Sequence, residues 1–243
     1  RFEDCGADVC GVVVCDSMKL VGLTGGIGTG KSTVSRWLAA EGMSIIDLDD
    51  IVRKLQAPGS PVVKAIDAAF PGCVSAEGVL DREALGLRVF ADANDRRRLN
   101  RLMKGPIAAA LFAALAKHWL RGTAVVVLDA PLLFETPPLA RLCAIHVVVA
   151  APTDVQIDRV VARDDVDRDA ARQRVDAQMP LEAKIKRAHV VIDNAGDLDH
   201  LDDQCRRALP MLWRRWGLWW FASAPGAVVL LALGATLLRA AAY

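Results

Sequence analysis

The chain has 243 residues, 53% of them hydrophobic and 24% charged. That balance excludes wholesale disorder and fits one large domain or one domain with an appendage. Thirty basic residues against 29 acidic ones leave a net charge of +1, so there is no global basic field and nucleic acid is not an expected partner. A mean hydropathy of +0.27 is high for a soluble chain, and part of it is expected to meet lipid.

Residues 1–17 begin at Arg1 and carry Glu3, Asp4, Asp8 and Asp16. The uncharged run Val9–Cys15 is short and acid-flanked, unlike a secretory signal, so 1–17 reads as a leader with Met18 as a natural start. Lys19–Thr24 is a short apolar strand, followed by a glycine-rich turn. Val34, Trp37, Leu38 and Glu41 then recur at helical spacing over Ser32–Glu41, with Gly42 suited to the cap. Met43–Asp47 reads as a second strand. Residues 50–120 are helical in pattern, broken at Pro58-Gly59, Pro61, Pro71-Gly72, Gly78 and Gly105-Pro106. Ala124–Asp129, Ile145–Ala150 and His189–Asp193 complete five strands. Their Val/Ile/Leu runs are continuous rather than alternating, the pattern of strands buried on both faces of a parallel sheet. The six cysteines form no CxxC and the four histidines no ligand spacing, so both are expected to serve packing, in a reducing compartment.

Gly25-Gly26-Ile27-Gly28-Thr29-Gly30-Lys31-Ser32 fits G-x-x-x-x-G-K-[ST] between a strand and a helix. Glycines let backbone N–H groups close around phosphate oxygens, and the helix N-terminus adds partial positive charge. The spacing assigns Gly26, Ile27, Gly28, Thr29 and Gly30 to the phosphate cradle. Lys31 is assigned to the β and γ phosphates, Ser32 to Mg²⁺ and Thr33 to the α phosphate of a nucleoside triphosphate.

Asp47-Leu48-Asp49 follows the second strand, and residues two apart in extended chain share a side, so two carboxylates are expected to face the site. Helix N-capping by Asp49 or Asp50 is the alternative. Asp129, at the end of the third strand, is a second candidate for Mg²⁺ or for capping the next segment. Gln156, Arg159 and Arg163 lie on one helical face, with Arg168, Arg172 and Arg174 after them. Such arginines suit transition-state charge over the phosphates, or a solvated face shared with the interleaved aspartates.

In order, the phosphate loop, Asp47-Leu48-Asp49-Asp50-Ile51-Val52-Arg53, Asp81-Arg82-Glu83-Ala84-Leu85, Val89-Phe90, Pro131-Leu132-Leu133-Phe134-Glu135, Gln156 to Arg159 with Arg163, Gln178, Lys184 and Ile192-Asp193-Asn194-Ala195-Gly196 resemble dephospho-coenzyme A kinases from about Met18 to Leu209. The resemblance implies transfer of the ATP γ-phosphate to the ribose 3′-hydroxyl of dephospho-CoA, the last step of coenzyme A synthesis. It implies a P-loop NTPase three-layer α/β core with a five-stranded parallel sheet over residues 18–209. It adds a helical substrate-binding insertion at about 58–118 and a lid at about 155–185. By the same likeness Asp49 is the candidate base and Arg159 the charge-stabilising lid arginine. The family usually has His-Pro where this chain has Gly105-Pro106. Rival readings are a nucleoside monophosphate kinase and a catalytically silent, membrane-tethered nucleotide-binding protein. The Asn-Lys-x-Asp of GTPases and the Ser-Gly-Gly-Gln of ABC ATPases are absent.

Trp216–Leu238 contains no charge, Arg214 and Arg215 precede it, and Trp213, Trp216, Trp219 and Trp220 cluster at its near edge. Residues 210–243 are therefore expected to form a C-terminal transmembrane anchor, with the kinase body on the cytoplasmic face, although Pro225-Gly226 interrupts the run.

Overall fold

The computed structural model describes residues 18–213. Five strands, β1 (Lys19–Gly25), β2 (Ser44–Asp47), β3 (Val125–Asp129), β4 (Ile145–Ala150) and β5 (Val190–Asp193), form one parallel sheet in the order β2-β3-β1-β4-β5. All seven residues of β1 and all five of β3 are buried, which is why these strands read as unbroken apolar runs. In register, Leu23 pairs with Asp129, Asp47 with Asp129 and Ala150 with Asp193. The strands' carboxyl ends therefore gather at one edge of the sheet, where ligands of open parallel sheets bind.

On one face, α1 (Lys31–Ala40) and α10 (Leu198–Trp213) bury Val34, Leu38, Leu201, Cys205 and Leu212 against Val21, Leu23, Val127 and Val147. On the other, Leu111 and Leu115 of α5 (Ala93–Leu120) and Leu139 of α6 (Pro137–Leu142) pack with Leu20, Val126 and Leu128. The result is the expected three-layer α/β core. A separate apolar cluster joins α3 (Pro61–Ala69), α4 (Arg82–Ala91) and the first half of α5 through Val63, Ile66, Phe70, Leu85 and Met103. A further cluster, Ile157, Val160 and Ala171, holds α7 (Thr153–Asp164) to α8 (Arg168–Asp176), and the short α9 (Leu181–Ile185) follows and lies against β4.

Two local expectations are corrected. Gly105-Pro106 does not break the helix: α5 runs through both for 28 residues. Proline in a helix interior removes a hydrogen bond, but this helix is anchored on both sides of it, by Met103 in one core and by Leu111 and Leu115 in another. The extended chain likewise stops at Asp47 rather than continuing to Asp49. The Asp47 carboxylate accepts hydrogen bonds from the backbone N–H of Asp49 (2.8 Å) and Asp50 (3.1 Å), capping α2 (Leu48–Leu55). The cap is thus Asp47, and Asp49 sits in the first turn of the helix.

Among the described residues, no helix is long and apolar enough to cross a membrane. The apolar run Trp216–Leu238 and residues 1–17 lie outside the described residues.

Candidate active site

The turn between β1 and α1 is built for close approach. Gly28 and Gly30 have φ of 75° and 84°, the left-handed region that favours glycine. A Cβ on Gly28 would meet the Gln156 carbonyl oxygen at 2.5 Å. Gly30 caps α1 without any side-chain hydrogen bond, leaving the helix N-terminus to a ligand. Thr29 is buried and its hydroxyl donates to the Gly26 carbonyl at 2.8 Å, closing the loop on itself.

Three other segments brace this loop. Asn194, just after β5 and itself buried, donates to the Thr29 carbonyl at 2.7 Å. Arg159 donates to the Gly28 carbonyl (3.4 Å) and the Asn194 carbonyl (3.1 Å). Buried Gln156 donates to the Ala151 carbonyl at 2.8 Å while its backbone fills the space beside Gly28. Gln178, between α8 and α9, accepts the Ile27 N–H at 2.8 Å.

A cavity of about 430 Å³ opens over the loop, lined by Gly26, Gly28, Gly30, Lys31, Ser32, Asp49, Arg159, Arg163 and Gln178 among others. A neighbouring cavity of about 460 Å³ is lined by Asp47, Asp49, Arg53, Arg82 and Asp129. Lys31, Ser32 and Asp49 belong to both walls. A third, of about 320 Å³, runs past Thr33 and Arg159 to the backbone of 194–197 and the apolar Leu198 and Leu201. The site therefore offers a phosphate cradle with a space on either side of it.

Lys31 is ion-paired with Asp129. The Asp129 side chain is nearly buried, and that burial raises its pKa above the ordinary carboxylate value despite Lys31. Neighbouring Asp47 pushes in the same direction. Arg53 and Arg82 line the same cavity as Lys31, so Asp47, Asp49 and Asp129 face three basic side chains there. Among the described residues no cluster of three or more His, Cys, Asp or Glu side chains could hold a metal by itself. Mg²⁺ does not require one, because it is commonly held by one or two carboxylates with phosphate oxygens and waters. Ser32 and Asp129 fit that role.

The expected arginine face is only partly realised. Arg159 and Arg163 line the cavity, but Arg163 also pairs with Asp164 (2.7 and 3.0 Å), which raises the guanidinium pKa. Arg168 pairs with Asp158 and Asp154, and Arg174 with Asp164. Neither lines the cavity over the phosphate loop, because the interleaved aspartates hold them on the outer surface of α7 and α8. Cys73, Cys143 and Cys205 are free and buried, as packing residues should be. Desolvation pushes the Cys143 thiol up to about 12. Cys5, Cys10 and Cys15 lie outside the described residues.

Sequence reasoning assigned no task to Gln178, Asn194, Lys184 or Arg82. All four were legible only as matched positions; Gln178, Asn194 and Lys184 each meet a backbone atom more than 100 residues away.

Comparison with known proteins adds names to this geometry. The dephospho-CoA kinase family model matches residues 19–200. A dephospho-CoA kinase from Arabidopsis thaliana is 40% identical over 202 residues, which take in 81% of this chain and 87% of that one. A solved protein from Thermus thermophilus superposes with a TM-score of 0.71 at 32% identity, covering 80% of this chain and 98% of that one. A dephospho-CoA kinase from Campylobacter jejuni shares the fold with a TM-score of 0.60 at 23% identity, over 79% and 96% of the respective chains.

Proposed function

The chain belongs to the dephospho-CoA kinase family, and from that premise we propose how its residues move phosphate from ATP to the ribose 3′-hydroxyl of dephospho-CoA, the final step of coenzyme A synthesis. The observation that carries the reading is the shared wall of the two cavities, where Lys31, Ser32 and Asp49 stand between a phosphate cradle and a second space edged by Arg53 and Arg82.

ATP lies along the phosphate loop. Its base occupies the third cavity, against Leu198, Leu201 and the backbone after Asn194. The free N-terminus of α1 and the Lys31 ammonium hold the β and γ oxygens. Arg159 and Arg163 face the same cavity and balance the charge that builds on the transferring phosphoryl group. Ser32 and Asp129 would hold Mg²⁺, which would supply positive charge against the phosphates.

Dephospho-CoA enters the second cavity, where Arg53 and Arg82 match its diphosphate. Asp49 accepts the proton of the 3′-hydroxyl as that oxygen bonds to the γ-phosphorus. The bond from phosphorus to the β-γ bridging oxygen breaks, and ADP leaves with that oxygen.

The test is ADP production by the 18–213 body with ATP, Mg²⁺ and dephospho-CoA, beside wells of AMP, UMP and CMP. Turnover confined to dephospho-CoA is expected. Turnover confined to a nucleoside monophosphate would reassign the acceptor, and silence throughout would leave a nucleotide-binding role. We further propose, from the uncharged Trp216–Leu238 run alone, that the chain after α10, residues 214–243, tethers the body to the cytoplasmic face of a membrane; residues 210–213 instead end α10, with Leu212 in the sheet core. Loss of vesicle pelleting on deleting 214–243 is expected, and persistent pelleting would refute the tether.

A further inference from the structure

Lys184 is a fully buried lysine for which the phosphoryl-transfer scheme above has no use. It lies on α9, at the end of the segment that covers the phosphate loop. Its ammonium donates to the Pro131 carbonyl at 3.0 Å and the Gly25 carbonyl at 3.4 Å, and it pairs with Glu135 at 3.1 Å. Three separate pieces of the active site meet at this one nitrogen. Gly25 is the last residue of β1 and the first of the phosphate loop. Pro131 follows Asp129 by two residues and lines the phosphate cavity. Glu135 ends the same loop. The Pro131 carbonyl also receives the Thr24 hydroxyl at 3.0 Å, so it is tied from both sides.

We propose that Lys184 is a positioning residue: its ammonium sets the spacing between the phosphate loop and the Asp129 loop, and fixes the base of the lid to both. It does not itself line the cavity and acts through the backbone carbonyls of Gly25 and Pro131, which do. The lysine's three N–H donors are matched by three acceptors, which is how a buried ammonium is tolerated. With Gln178 holding the Ile27 N–H, the C-terminal end of the lid is pinned at two points. Catalysis by positioned charge is sensitive to such spacing, and a shift of about 1 Å is worth about 10² in rate.

The proposal rests on the reaction assigned above. Turnover of dephospho-CoA by the unaltered chain tests that reaction, and the ratio of variant to unaltered kcat tests Lys184, so the two fail separately. In the full chain, Lys184→Met is expected to lower kcat by about 10² while KM for ATP and for dephospho-CoA stays within a few-fold, measured well below the variant's own unfolding midpoint. Glu135→Gln keeps an acceptor at the same place and leaves both carbonyl bonds intact, so its kcat loss is expected to be smaller than that of Lys184→Met. A Glu135→Gln loss as large as that of Lys184→Met would make the lysine one half of a structural ion pair and overturn the proposal. If Lys184→Met does not fold, Thr24→Val removes the other tie to the Pro131 carbonyl with little change of shape. A kcat loss at constant KM is then expected, and an unchanged kcat would overturn the proposal.

Discussion

The two sides of the active site are held in different ways. On the nucleotide side, side chains from four segments reach backbone atoms of the phosphate loop and its neighbours. Asn194, Arg159, Gln178 and Lys184 all make bonds of this kind, and Asn194 and Lys184 are buried. On the acceptor side the polar residues are exposed or half-exposed. Arg53 stands 3.8 Å from Asp47 and 4.0 Å from Asp50, while Lys54 pairs with Asp50 at 2.7 Å, all on α2 or its cap. Surface pairs of this kind contribute little. The α3–α4–α5 cluster packs its own core and is carried into the sheet layer by one continuous helix, α5. The nucleotide half is therefore braced by side-chain bonds to its backbone, and the acceptor half is lined mostly by exposed or half-exposed side chains, Arg53 pairing within α2 and its cap.

That contrast is most sharply tested at Lys31, where the two cavities meet. Lys31→Ala removes the cation aimed at the β and γ phosphates, and kcat/KM is expected to fall by at least about 10³. It also leaves Asp129 buried without its partner. Removing one member of a buried pair costs about 3–5 kcal/mol, discounted here because the lysine is partly exposed. Denaturant midpoints near pH 7 should therefore fall too. Full stability with lost turnover would show this edge to be less tightly coupled than the contrast requires.

Asp49→Asn probes the shared wall from the acceptor side. Asp49 is exposed and its side chain braces nothing in the phosphate loop. ATP affinity should be unchanged while kcat falls by about 10², the lower end of what a positioned base contributes. Isothermal titration with ATP alongside steady-state rates separates the two effects. Weaker ATP binding would break the contrast, and normal kcat would remove Asp49 from the base role.

The limits of the sequence reading follow the same division. The phosphate loop was legible because its chemistry is contiguous, with eight residues between one strand and one helix. The strands were legible because burial on both faces leaves unbroken apolar runs. The Asp47-Leu48-Asp49 pair does face one cavity, but not through a period of two: the strand ends at Asp47, which caps α2, and Asp49 reaches the same cavity from the helix's first turn. Gln178, Lys184 and Asn194 meet backbone atoms 151, 159 and 165 residues away. A backbone atom leaves no residue-type signature, so no spacing within a single chain could have revealed those bonds.

Asp129→Asn separates stability from chemistry on the braced side. Burial holds the Asp129 pKa above its unfolded value, so the folded state binds the proton more tightly than the unfolded state. Below the unfolded pKa both states are protonated and the carboxyl costs nothing. Above the unfolded pKa a penalty develops as pH rises, and it is complete once pH exceeds the raised folded pKa. The asparagine variant should therefore be more stable than the parent at pH 7, with the gain shrinking as pH falls into the carboxylate range, while its turnover drops. Urea midpoints at pH 7 and pH 4 read the difference. A gain that grows in acid would contradict the sign of the shift.

The smallest effect is expected at Gly105, in the helix that links the two halves. A Cβ there would meet nothing within 4 Å, and Gly105 is not among the positive-φ glycines. Gly105→Ala should therefore add about 0.5–1 kcal/mol to stability by removing backbone freedom from the unfolded chain, with kinetics unchanged. Gly105→His also has room, and it restores the histidine usual in the family. This side chain should lower KM for dephospho-CoA and leave kcat and KM for ATP alone, because nothing in the nucleotide brace touches residue 105. A change in kcat would mean that α5 transmits strain from the insertion to the phosphate loop, and the two halves would then be one mechanical unit.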